Sequence, residues 1–80
     1  MIPVSIQTLL LSLHAVSKER QVVGTRLRNG DFEEDETEEL NDLIDRLTVA
    51  ITELTELYEP QREGREGTYP TSDRIQALYD

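Results

Sequence analysis

Two runs of apolar residues, spaced alternately by three and four and separated by an Asn-Gly pair, constrain this chain more than anything else in it. In the first run Ile2, Ile6, Leu9, Leu13, Val16, Val23 and Leu27 follow a single seven-residue stripe, with Arg20 at the one position missing from it. In the second, Leu40, Ile44, Leu47, Ile51, Leu54 and Tyr58 repeat the pattern, and Leu43, Ala50 and Leu57 widen it by one position. That spacing lines one face of an α-helix, and neither run alternates as a strand would. The pattern predicts an all-α chain: a long antiparallel helical hairpin over residues 1–58, with helix 1 at about 3–28 and helix 2 at about 32–58.

The punctuation between the runs agrees. Pro3 suits a first helical turn, where its missing N–H costs nothing. Val22-Val23-Gly24-Thr25 is a weak stretch within the first helix, Gly24 alone costing about 1 kcal/mol relative to alanine. Asn29-Gly30 supplies the left-handed conformers that end a helix, and Asp31 with Glu34 forms a capping box for the next one, with Asp35 and Glu38 as a second choice. Pro60 ends the second run. Two helices of about 26 residues, each about 39 Å long, joined by a short turn lie antiparallel.

Charge follows the same division. Residues 1–30 hold Lys18, Arg20, Arg26 and Arg28 against Glu19, whereas Asp31, Glu33, Glu34, Asp35, Glu36, Glu38, Glu39, Asp42 and Asp45 follow with no base among them. The hairpin therefore sets a basic helix C-terminus beside an acidic helix N-terminus, each matched to its dipole. The whole chain carries a formal charge of −9. Such a balance repels nucleic acid and anionic lipid, because Lys and Arg supply most non-specific phosphate affinity. Proteins, especially those with basic surfaces, are the expected partners.

Beyond the hairpin, residues 59–70 are polar, carry two glycines and two prolines, and have no period. They read as a flexible linker. Residues 71–80 regain a pattern: Thr71 or Ser72 can cap a short amphipathic segment whose Ile75, Leu78 and Tyr79 share a face. A helix this short does not hold alone in water, so it docks either on the hairpin or on a partner.

Eighty residues without cysteine allow one domain, with neither disulfide nor thiolate zinc site to stabilise it. The longest apolar run, Leu9-Leu10-Leu11, falls far short of the roughly 20 residues needed to span a bilayer. Nothing at Met1-Ile2-Pro3-Val4 resembles a secretory signal, which makes the cytoplasm the expected compartment.

Four places could carry sharper chemistry. Read as a twelve-residue calcium loop, Asp31, Glu33, Asp35, Thr37, Glu39 and Asp42 supply oxygens, but Glu36 stands where the turn needs glycine and Asp42 where a bidentate Glu belongs. Glu36-x-x-Glu39 and Glu53-x-x-Glu56 resemble the paired acidic motifs of all-helical nucleotide pyrophosphohydrolases, which hold magnesium. Both pairs fall on one helix about 25 Å apart, so a magnesium-dependent hydrolase ranks last. His14 has no carboxylate or Cys within a helical turn to serve as a catalytic partner. Arg20, inside the seam, either lays its stem along it or pairs with Asp42 or Glu39 of the facing helix.

The apolar surface carries most of the functional expectation. Leu9, Leu10, Leu11 and Leu13 surround their turns, and Leu43, Ala50, Ile51, Leu54, Leu57 and Tyr58 form a face broader than one helix can cover. These ten residues, at the hairpin's open end, are the expected oligomer interface, pairing two hairpins into a four-helix bundle. The leading functional expectation is a non-enzymatic interaction module, an adaptor or chaperone-like accessory protein that binds itself and another protein and uses no cofactor or metal. The alternative is an acidic decoy, whose carboxylate-rich pole from Asp31 to Asp45, with Asp31 to Asp42 at its head, occupies a basic nucleic-acid-binding surface on another protein.

Overall fold

The computed structural model of the chain describes residues 4–30 and 32–80. The chain folds as α1 (Ile6–Asn29), a one-turn 3-10 segment (Glu34–Glu36), α2 (Thr37–Tyr58), a second 3-10 segment (Glu59–Arg62) and α3 (Ser72–Ala77). No strand occurs among the described residues, and none of their helices is long and apolar enough to cross a membrane.

Helix α1 begins at its Ser5 cap, where the Thr8 N–H donates to Ser5 Oγ at 3.2 Å. The role expected of Pro3, and the Ile2 start of the stripe, lie outside the described residues. The helix runs unbroken through Gly24 and stops where Gly30 takes φ 72° and donates its N–H to the Arg26 carbonyl. Only a residue without Cβ adopts that conformation at no cost.

A capping box of Glu33 and Glu36 opens the 3-10 segment ahead of α2. Glu33 donates its N–H to Glu36 Oε1 at 2.9 Å, and Thr37 Oγ1 donates to the Glu34 carbonyl at 3.1 Å. The Asp31 cap falls outside the described residues. Arg26 and Arg28 close the last turn of α1, and Glu38 and Glu39 open α2. Arg26 bridges the two ends at 3.7 Å from Glu36.

The third helix changes the architecture. The core consists of Ile6, Leu9 and Leu13 from α1, Ile51 and Tyr58 from α2, and Ile75 from α3, with Leu13, Tyr58 and Ile75 all at 0% exposure. It lies toward the end of the hairpin away from the Gly30 turn, and the chain's own C-terminal segment closes it.

Residues 59–70, expected as a patternless linker, carry specific ties that bring α3 back. The Tyr58 hydroxyl donates to the Pro70 carbonyl at 2.7 Å, and Arg62 Nε donates to the Tyr69 carbonyl at 2.9 Å. Glu59 bridges both sides: one carboxylate oxygen lies 2.8 Å from Arg62 Nη1 and the other accepts the Ser72 N–H at 2.6 Å. That N–H is one of the donors that a helix start leaves without an intrahelical partner. Thr71 satisfies another, accepting from the Arg74 N–H at 3.1 Å.

Candidate functional site

Burial divides the ten expected interface residues. Leu9, Leu13, Ile51 and Tyr58 are buried inside the protomer and are unavailable to a second chain. Three helices, not the expected two, enclose these side chains. Leu10 and Leu54 are half-buried against the same core. Ala50 is half-buried, and Leu11, Leu43 and Leu57 are exposed.

The third helix also fixes which side of the hairpin remains open. Thr55 on α2 shares a hydrogen bond with Ser72 of α3, Oγ1 to Oγ 2.6 Å. His14 and Arg20 on α1 reach the same element: His14 Nδ1 lies 2.6 Å from the Tyr79 hydroxyl, and Arg20 Nη2 donates to Gln76 Oε1 at 3.5 Å. The Arg20 partner found is thus Gln76, not the facing acids Asp42 or Glu39, because α3 reaches the seam first.

At about 100° per residue, Leu57 points about 160° away from Thr55, so it belongs to the opposite flank of α2. Leu43, Ala50 and Leu57 recur every seven residues and line that flank together. Leu43 is 36% exposed and Leu57 is 56% exposed. Val16, two residues from His14 and so likewise turned away from α3, borders the same flank half-buried on α1. Leu11 and Val22 face outward on α1, away from this line.

The acidic residues form a separate surface. Asp35, Glu38, Glu39, Asp42 and Asp45, together with Asn41, border a shallow depression along the first turns of α2. Glu33, Glu34, Asp35, Glu38, Glu39 and Asp42 are exposed, and Glu36 is half-buried. Asp42 pairs with Arg46 one turn later at 3.0 Å, and Glu36 with Arg26. The 3-10 turn and the helix from Thr37 replace any twelve-residue loop. The pairs Glu36, Glu39 and Glu53, Glu56 sit at opposite ends of one helical stretch and do not meet.

Of the expected docking segment, Ile75 is buried in the core and Tyr79 is held by His14 both through its hydroxyl and edge-on, ring centres 5.7 Å apart. Only Leu78, 68% exposed, points away. The segment docks on the hairpin.

Two perturbed groups lie at this junction. The Glu59 carboxyl is held below the ordinary range, first by the Ser72 N–H and then by Arg62, against the opposing effect of burial. Burial pushes the Tyr58 phenol up. The Glu59 shift reflects the anchoring of α3, since Ser72 and Arg62, which lower it, are groups that fasten the segment.

No family model, no curated protein and no solved structure matches this chain. Its surfaces alone carry the functional reading.

The junction was not legible in the sequence. Glu59, Arg62, Thr55 and Ser72 are ordinary polar residues whose spacing carries no signature. The one available hint was the position of Glu59 and Arg62 at the end of a strong helix, one turn apart, as a pair would be.

Proposed function

We propose that this protein is a non-enzymatic protein–protein interaction module whose working surface is the apolar flank of the hairpin opposite α3. The observation that carries this reading is the line of Leu43, Ala50 and Leu57, open on α2 while the C-terminal segment is used up inside the protomer. Each buried leucine contributes roughly 1.5–3 kcal/mol, so covering the line is a substantial driving force for association. Two further helices laid across it complete a four-helix bundle, with helices crossing at about 20°.

The test compares the wild-type protein with Leu43→Glu and Leu57→Glu as bait for binding polypeptides. Both positions are exposed, so helicity by circular dichroism should persist while association is lost. Retained association in both variants refutes the reading.

The acidic decoy is the second reading, supported by the exposed carboxylates of Glu38, Glu39, Asp42 and Asp45 on one rigid helix. It is recognised by binding that collapses with salt, within a Debye length of about 10 Å at 0.1 M, and that ignores Leu57→Glu.

A further inference from the structure

We infer that the occupant of the open flank is a second copy of this chain, set antiparallel about a two-fold axis that passes beside Ala50. The inference rests on the interaction-module reading and assigns its partner.

Area supports it first. A compact monomer of 9.2 kDa exposes about 4900 Å², whereas this chain exposes 5753 Å². The excess, roughly 800 Å², is what each partner contributes to a standard interface. The shape explains the excess. The Cα atoms fill a slab of 48 × 28 × 14 Å with a radius of gyration of 14.6 Å, against about 11.6 Å for a compact chain of this length. With Cα atoms about 2.3 Å from each helix axis, the shortest dimension is that of only two packed helices, and a second copy laid on the open flank would bring the shape nearer to ordinary globular proportions.

Self-complementarity then selects the occupant. A two-fold interface brings each residue against its mirror position along the sequence. Leu43 and Leu57 lie equal distances on either side of Ala50, so an antiparallel α2 pair centred there sets each leucine against the other's counterpart in the second copy. Alanine at the centre is small enough for the helix axes to approach within the usual range of about 8–10 Å, and facing Cα atoms, each about 2.3 Å from its axis, come within about 5 Å near the upper end of it.

The rim agrees in charge. Arg46 lies four residues before Ala50 and Glu53 three after it, both beside the apolar line. The two-fold brings Arg46 of one copy within about 1.5 Å, along the helix axis, of Glu53 of the other. Arg46 is 78% exposed and pairs with Asp42 on its own helix, at the surface, so its long side chain can turn toward a second copy. A foreign partner would not require leucines and opposite charges balanced about one alanine.

The chain has no cysteine, so Ala50→Cys tests the axis directly. Facing Cα atoms at this crossing lie about 5 Å apart, within disulfide reach. Sedimentation should report a wild-type dimer at micromolar concentration, and Ala50→Cys should cross-link nearly completely under mild oxidation. Ala15→Cys, on the exposed outer side of α1, should not. Arg46→Glu should weaken the dimer about tenfold, and Arg46→Glu combined with Glu53→Arg should restore it.

A wild-type monomer, or a dimer in which the Ala50→Cys thiols stay reduced, overturns the assignment. A monomer that binds another polypeptide through Leu57 overturns the second copy alone and leaves the interaction module standing. Association of any kind that is indifferent to Leu57→Glu removes both.

Discussion

Replacing Ile75 with alanine tests whether α3 belongs to the fold. The side chain is at 0% exposure in the central cluster, and the substitution deletes three carbons. At about 0.8 kcal/mol per buried methylene, plus part of a cavity term, the loss is about 3 kcal/mol. Because α3 spans only six residues and its neighbours are polar ties, most of that loss should appear as local opening rather than global unfolding. Trypsin reads this opening at Arg74, whose following bond lies inside α3 and is cut only when the helix leaves the hairpin. Where cleavage is slow relative to closing, its rate tracks the open population. About 3 kcal/mol is then about a 100-fold faster appearance of the fragment ending at Arg74, timed by mass spectrometry. Leu78→Ala, at a position facing solvent, should change the rate less than about twofold. An Ile75→Ala rate within about threefold of wild type would refute the anchoring role of Ile75 and the three-helix core with it.

Tyr58→Phe leaves the Pro70 carbonyl without its donor and should cost about 1–2 kcal/mol by urea denaturation. Its raised phenol also means that wild-type stability is complete below the unfolded tyrosine value, near 10, and falls as pH climbs above it toward the folded value; Tyr58→Phe should flatten that decline. Glu59, with a lowered carboxyl, acts in the opposite sense: its contribution is present above the unfolded value of about 4.5 and disappears as pH falls through the folded one, so Glu59→Gln should be less acid-sensitive than wild type in thermal melts taken from about pH 7 to pH 3. Gly30→Ala forces a side chain into the left-handed region and should lower stability by about 1 kcal/mol, seen as a drop of several degrees in Tm.

What could be read in advance follows from what a period encodes. Alternating steps of three and four fix a helix and its inward face, and Asn29-Gly30 fixes where the first one ends, so α1, α2 and their antiparallel arrangement were legible. A period does not say what lies against the face. Leu9, Leu13, Ile51 and Tyr58 looked like an interface because two helices could not enclose them, and the residues that do were too few to register as a helix of consequence. Residues 59–70 failed for a related reason. Composition counts polar groups without pairing them, and Glu59, Arg62 and Tyr58 gain their role only once the chain has turned back. The Glu33–Glu36 capping box was not singled out because several acids there are equivalent in sequence, and only the turn geometry distinguishes Glu33.

Because α3 fills one flank of the hairpin, the protomer is one-sided. A bare hairpin of this composition would present apolar surface on both flanks, and a subunit with two such surfaces can add neighbours without limit, growing into a filament. With Ile75 and Tyr79 seated on one flank, any stacking of hairpins through the other ends after a single step. In the two-fold pairing proposed above, the six residues of α3 would thus act as a stopper on polymerisation as well as a part of the core.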